Sequence, residues 1–345
     1  MQEKNDAKNY IEIFKKFKNL RINDNDSDII RLFIIMLIIF ALMTLLNPGR
    51  FFTSDNFSSM AFQFPELGIL SIAMMLAMLT GGIDLSIVGI ANLSGILSAL
   101  ILIHIHPDWA YKKILLFMLV AIAIGILTGI LCGFLNGILI SLIGIPPILA
   151  TLGSMQLFTG IATIITKGHS VFNFPEQFLY IGNGALWFLP LPFVIFVIVA
   201  IVFNILLQKT SFGLKLYMMG TNPIASRFSG INNIAMIIKT YLYSGLLAAI
   251  AGLIIIARTN SAKADYGTSY TLQAILVVVL GGVNYKGGFG KVSGIILAIL
   301  ILQFLSSGFN MLQFSNFFKD FIWGSVLILV MVLNNIINNK HNQKK

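Results

Sequence analysis

Charged side chains are scarce in this chain. Only 10% of its 345 residues are Asp, Glu, Lys or Arg, and 57% are hydrophobic, whereas an ordinary soluble domain carries about 25% charged residues. That shortage excludes a soluble domain of usual composition and describes a polytopic membrane protein. Cysteine is nearly absent: Cys132 stands alone inside an apolar run, which excludes an intrachain disulfide and reads as packing. Acidic residues are the rarer sign, 13 against 23 Lys and Arg. The formal charge of +10 does not mark a nucleic-acid binder, because the basic residues lie at the ends and in short connections between apolar runs. Those are the places the positive-inside bias puts them.

Reaction centres are missing as well. The nearest approach to a phosphate loop is Gly290-Lys291, but Tyr285 stands where its first glycine is required and Val292 where Ser or Thr would hold magnesium. There is no His-Glu-x-x-His helix and no Gly-x-Ser-x-Gly elbow. His104 and His106 have no Cys or other His near them in sequence, so they read as an interfacial turn. The chain is therefore not expected to be an enzyme, and no catalytic residue, metal ligand or cofactor is assigned to it.

One stretch stands out, Leu79 to Gly95, LTGGIDLSIVGIANLSG. Between Leu67 and Ile105 the only Asp, Glu, Lys or Arg is Asp84, and an ionisable group at hydrocarbon depth normally faces protein or water and often marks a pathway. Gly81 and Gly82 lower helix propensity just before it, which suggests a broken or re-entrant helix. The other reading is a surface loop capping the next helix, with Asp84 or Ser86 as the N-cap.

A spanning helix needs roughly 20 apolar residues. Cut on that length, the chain yields a first span from Arg31 to Asn47, an outer connection from Phe51 to Pro65, and spans near Leu67–Thr80, short for its task, and Leu85–Ile105. The uncharged tract Ile114–Thr166 must turn back at Gly144-Ile-Pro-Pro147, and Gly125, Gly129, Gly133 and Gly137 recur along one helix face, a spacing that permits close helix approach. Lys167 to Pro190, with Phe172, Phe174, Tyr180 and Trp187, suits the outer interface, and a sixth span returns from Pro190 or Pro192 to Lys209. Residues 208–239 hold Lys209, Lys215, Arg227 and Lys239 without an acid, so this long connection is expected to be cytoplasmic. Further spans follow at Thr240–Ala257, Thr268–Gly282, Val292–Leu312 and Phe321–Ile336, with a second glycine cluster at Gly281–Gly290.

The expected fold is all-α, a polytopic membrane protein of about ten transmembrane helices, some broken or re-entrant. Residues 1–30 form a cytoplasmic segment, 31–337 the membrane domain and 338–345 a cytoplasmic tail. No cleavable signal peptide is apparent. Lys15, Lys16, Lys18 and Arg21 orient the first span, and Ile11, Ile13, Phe14, Phe17 and Leu20 among them suit an amphipathic helix on the inner leaflet. A weak internal echo relates Leu79-Thr-Gly-Gly-Ile and Leu93-Ser-Gly-Ile to Leu280-Gly-Gly-Val and Val292-Ser-Gly-Ile, with a one-residue slip.

Three runs, Leu79-Thr-Gly-Gly-Ile-Asp-Leu-Ser86, Gly220-Thr-Asn-Pro-Ile-Ala-Ser-Arg-Phe-Ser-Gly-Ile231, and Val278-Val-Leu-Gly-Gly-Val-Asn284 with Gly287-Gly-Phe-Gly290, together resemble the membrane permease of ribose-type sugar ABC importers. The likeness covers roughly Ser54 to Asn335. It implies a multi-pass protein of the bacterial cytoplasmic membrane, both termini inside the cell, that passes a pentose-like sugar through the bilayer. The implied partners are ATP-binding subunits, an extracytoplasmic substrate-binding protein, and a second permease copy or paralogue. The segment with Asn222, Ala225, Ser226, Arg227 and Gly230 resembles the region that docks on the ATPase, although this chain has Pro223 and Ile224 where the family often has Glu. Gly81, Gly82, Asp84, Ser86, Gly281, Gly282 and Asn284 are the residues expected to shape or gate the path. By chemistry alone, sugar contacts are sought among Asn92, Asn136, Gln156, Gln273, Asn284, Gln303 and Asn310. A nucleoside or branched-chain amino-acid permease, or an ion-coupled carrier, remains the alternative.

Overall fold

The computed structural model describes residues 29–106 and 108–342, so the expected inner-leaflet helix around Ile11–Leu20 and the terminal Lys344 and Lys345 lie outside the described residues. The architecture is helical throughout, as the composition requires. It runs α1 Ile29–Leu46, α2 Ser54–Leu79, α3 Ile87–Leu102, α4 Tyr111–Ser141, α5 Pro147–Thr166, α6 Glu176–Asn183 and α7 Leu191–Lys209. It continues with α8 Ser211–Thr221, α9 Pro223–Phe228, α10 Asn233–Thr259, α11 Tyr270–Leu280, α12 Val292–Met311 and α13 Asn316–Asn342. Seven of these helices are long and apolar enough to cross a membrane, and α3 and α11 are shorter apolar helices. Two small antiparallel pairs clip the connections: β1 Val171–Phe172 with β4 Ser261–Ala262, and β2 Ala185–Leu186 with β3 Leu189–Pro190.

The centre of the bundle is α2 and α10, each packed against the other and against α3, with α4 laid along α10. The glycine face of α4 explains that fit. A Cβ on Gly129 would stand 2.4 Å from the Gly245 carbonyl oxygen, and one on Gly133 would stand 2.2 Å from that of Tyr241. The backbones of α4 and α10 approach as closely as small residues allow, the contact the four-residue glycine spacing anticipates.

Two expectations need correction. The stretch Phe51–Pro65 is not an outer connection, and Leu67–Thr80 is not a short span: both belong largely to α2, one helix of 26 residues. It starts where Thr53 caps it, the hydroxyl accepting from the Asn56 N–H at 3.2 Å, and it carries Pro65 inside. Its polar first turns and the proline masked it in hydropathy. Conversely, Thr268–Gly282 is not a full span. Helix α11 has 11 residues, about 16 Å at 1.5 Å per residue, half of a ~30 Å hydrocarbon core. The chain before it runs through turns over residues 264–269, and there Asn92 Nδ2 on α3 donates to the carbonyls of Ala264 (3.0 Å) and Tyr266 (2.9 Å). These bonds satisfy the non-helical backbone ahead of α11, and the helix break expected at Gly81–Gly82 lies between the end of α2 at Leu79 and the start of α3 at Ile87.

Residues 208–239 likewise hold α8, α9 and the first two turns of α10 in place of a polar loop. Helix α10 begins at Asn233, capped by Asn232, whose Oδ1 accepts from the Ala235 N–H at 3.0 Å.

Candidate functional site

The three sequence runs singled out by their glycines meet at one end of the bundle. Helices α2 and α11 stop by the same device. Gly81 and Gly282 both take left-handed φ, +82° and +80°, and the following N–H reaches back five residues, Gly82 to Ala77 (3.2 Å) and Val283 to Val278 (3.1 Å). This pattern is a glycine-terminated C-cap, and it pairs Gly81 with Gly282 rather than with Gly281, its counterpart in the sequence echo. Between these ends sits the close of α8. A Cβ on Gly220 would fall 1.9 Å from the Leu79 carbonyl oxygen and 2.5 Å from the Gly288 nitrogen. Tyr217, one turn earlier on α8, donates its hydroxyl to the Gly290 carbonyl at 2.7 Å. In the second cluster Asn284 accepts from the Lys286 N–H at 2.9 Å, closing the turn, and a Cβ on Gly281 would stand 3.0 Å from the backbone of Gly294 on α12.

Asp84 lies just inside this junction, with none of its surface exposed. Its Oδ1 accepts from the Ser86 N–H (3.1 Å) and hydroxyl (2.6 Å), and its Oδ2 accepts from Ser244 on α10 at 2.7 Å. Asn136 on α4 donates to the Ser86 oxygen at 2.7 Å, and Thr151 on α5 donates to the Ile83 carbonyl at 2.9 Å. The carboxylate thus ties the α2–α3 turn to α10 through Ser244 and, by way of Ser86, to α4, while the Ile83 carbonyl makes the link to α5. Ser86 is the N-cap of α3 but makes no side-chain cap bond. Ser244, 158 residues further along the chain from Ser86, has no sequence signal that distinguishes it from other serines.

Beside the junction stands α9. Asn222 caps it, its Oδ1 accepting from the N–H groups of Ile224 (3.1 Å) and Ala225 (3.0 Å), and Pro223 fills the first helical position, which needs no N–H. Ser226 is turned inward, donating to the Pro223 carbonyl (2.9 Å) and paired with Asn233 Oδ1 (3.0 Å), while Ala225, Arg227 and Gly230 are exposed. Sequence reasoning missed the largest surface here: Ile224 is 72% and Phe228 89% exposed.

It also missed an ion pair at mid-bundle. Glu66, in α2 and fully buried, accepts from Arg258 on α10 through a hydrogen bond to Nε and a second to Nη2 at 3.2 Å, and from the Tyr270 hydroxyl at the start of α11 at 3.2 Å. Ahead of it the first turns of α2 are polar. Asn56, Ser59, Gln63, Gln303, Ser307 and Asn310 line a cleft of about 250 Å³ between α2 and α12. A second, more open cavity of about 520 Å³ shares Ser59 and Gln63 and reaches Arg258. Two of the amides proposed from chemistry, Gln303 and Asn310, therefore sit together, whereas Asn92 and Asn136 are engaged within the protein, Gln156 faces outward on α5, Gln273 bonds its own helix at Ser269, and Asn284 shapes its turn.

Seven long apolar helices packed into one bundle make this a multi-pass membrane protein. The chain belongs to the family described as branched-chain amino acid transport system/permease component, which it matches over residues 56–331. It is 34% identical to the ribose import permease protein RbsC of Bacillus subtilis over 88% of this chain and 91% of that protein. It is also 34% identical to the Escherichia coli K12 RbsC, over 88% and 92%, and 31% identical to the E. coli K12 L-arabinose transport system permease protein AraH, over 87% and 89%. No solved structure gave a significant match.

Proposed function

We propose that this chain is the membrane subunit of an ATP-driven importer that carries a small, pentose-like sugar across the bacterial cytoplasmic membrane, with both termini in the cytoplasm. A pair of such chains, or this chain and a paralogue, forms the path, and an extracytoplasmic binding protein delivers the sugar. The observation that carries this reading is the meeting of Leu79, Gly220 and Gly288 beside exposed α9. An ATPase that moves α9 through Ile224, Arg227 and Phe228 pulls on α8, and α8 is in backbone contact with the ends of both α2 and the α11–α12 turn. The residues Gly81, Gly82, Asp84, Ser86, Gly281, Gly282 and Asn284 then serve as the gate's hinge, and Asn222, Ala225, Ser226, Arg227 and Gly230 frame the docking helix. The sugar assignment follows the relatives' ribose and arabinose permeases.

The test is reconstitution. Proteoliposomes holding this chain, its ATPase and its binding protein are expected to accumulate labelled D-ribose only with ATP. Uptake by this chain alone would sink the ABC reading, and uptake of leucine in place of ribose would move the assignment to the amino-acid members of the family.

A further inference from the structure

The outer half of α2 presents polar groups at a depth where lipid does not tolerate them. Gln63 lies nine residues into α2 and Gln303 lies eight residues before the end of α12, about 12–14 Å below the outer helix ends at 1.5 Å per residue. Amides that serve helix packing in a membrane are hydrogen-bonded across the interface, and one pair here meets that need: Ser307 donates to Asn56 Oδ1 at 2.7 Å. Gln303 does not, for it is half-buried and makes no hydrogen bond among the described residues. Gln63 donates only to Ser59 on its own helix, at 2.8 Å, and Asn310 receives Lys319 Nζ on its oxygen, leaving its amide N–H groups for the cleft. An amide without hydrogen-bond partners is strongly disfavoured in hydrocarbon, so the face carrying Gln63 and Gln303 meets water or a polar solute.

We infer that the α2–α12 seam is the outer half of the solute path and a low-affinity subsite for a neutral polyol, with Ser59, Gln63, Gln303 and Asn310 as its contact residues. This rests on the permease reading above. The lining matches the ligand class. Each glutamine offers a donor and an acceptor side by side, which suits vicinal hydroxyls. The cleft's own lining side chains are uncharged, which suits a neutral solute, and the nearest charges stand at its edge: Lys319 on the Asn310 oxygen, and Asp55 and Arg258 in the adjoining cavity. Arg258, held by the buried Glu66 carboxylate that also accepts from Tyr270, lines the adjoining cavity.

Two measurements test this, in the assembled importer with Cys132 replaced by Ala. In the first, Gln63→Cys, Gln303→Cys and, as a lipid-facing control from mid-α4, Leu127→Cys are treated with a charged methanethiosulfonate reagent. Both seam positions are expected to react at least tenfold faster than Leu127→Cys, and equal rates would overturn the assignment whatever the substrate proves to be. In the second, D-ribose uptake is compared among the wild type, Gln303→Leu and Gln303→Asn. A loss of tenfold or more in the Leu variant, with Asn retaining most uptake, supports the subsite. Wild-type uptake with an equally active Gln303→Leu overturns the subsite while leaving the permease reading in place. Should the wild type fail to transport ribose, the sugar reading fails, and the labelling still decides the seam.

Discussion

The Gly288 N–H donates to the Leu79 carbonyl across 3.0 Å, and Gly220 presses on that same carbonyl so closely that an added Cβ would lie 1.9 Å from it. Three segments separated by more than sixty residues each thereby share one oxygen. A displacement of α8 has to be taken up by the end of α2, because backbone against backbone leaves no side chain to bend out of the way.

Gly220→Ala is accordingly expected to break the junction. Forcing a methyl into a packed contact costs about 1–3 kcal/mol, and here the obstacle is a carbonyl rather than a flexible side chain. The expected outcome is a lowered melting temperature in detergent and at least a tenfold loss of ATP-dependent uptake. Gly153→Ala, whose added Cβ would meet nothing within 4 Å, is the control and should match wild type. Wild-type uptake in Gly220→Ala would show that the junction is not under strain during transport.

How much of this could be read in advance divides along physical lines. The glycine clusters were legible, because two glycines at the end of an apolar run mark a helix stop wherever they occur. So was the α4 face, where a four-residue spacing fixes the geometry. Helix α2 was misjudged because Asp55, Asn56, Gln63 and Glu66 lower its hydropathy over the first half, although each faces a cavity or a partner. Glu66 escaped notice as a site for the same reason, sitting one residue before the tract in which Asp84 is the only Asp, Glu, Lys or Arg. The partners Ser244 of Asp84 and Arg258 of Glu66 are tertiary facts, separated by 160 and 192 residues, and no local pattern encodes them.

Asp84 gives a graded prediction. Asp84→Asn keeps an oxygen for the Ser86 N–H and hydroxyl, and its new amide faces the Ser244 oxygen, which accepts as readily as it donates. Asp84→Ala leaves the Ser86 and Ser244 groups buried without an acceptor, at about 1–3 kcal/mol for each orphaned donor. The Asn variant should retain most stability and uptake, and the Ala variant should lose both. Full activity in both would reduce Asp84 to a spacer.

The Glu66–Arg258 pair should respond asymmetrically. Arg258→Leu strands a fully buried carboxylate, and removing one partner of a buried pair typically costs about 3–5 kcal/mol. Glu66→Leu is milder, because Arg258 is 28% exposed and lines the larger outer cavity, where its guanidinium reaches water. The double Leu variant should be more stable than Arg258→Leu alone, a coupling that a thermal double-mutant cycle reads directly. Strict additivity would show that the two side chains do not interact in the folded protein.

The docking helix separates packing from coupling within a single turn. Phe228 and Ile224 project from the surface, so Phe228→Asp and Ile224→Asp should leave expression and melting temperature unchanged while the ATPase no longer co-purifies and uptake falls at least tenfold. Ser226 points the other way, bridging Pro223 and Asn233. Ser226→Ala should therefore loosen α9 by about 1 kcal/mol and weaken ATPase binding without abolishing it. Ala225→Trp crowds the exposed side of the same helix, and Gly230→Arg puts a long side chain on the turn just past its end, where φ is +77°; both should also uncouple transport. If both Asp variants retain the ATPase while Ser226→Ala releases it, the contact surface lies on the opposite face of α9, and the assignment of Ile224 and Phe228 fails.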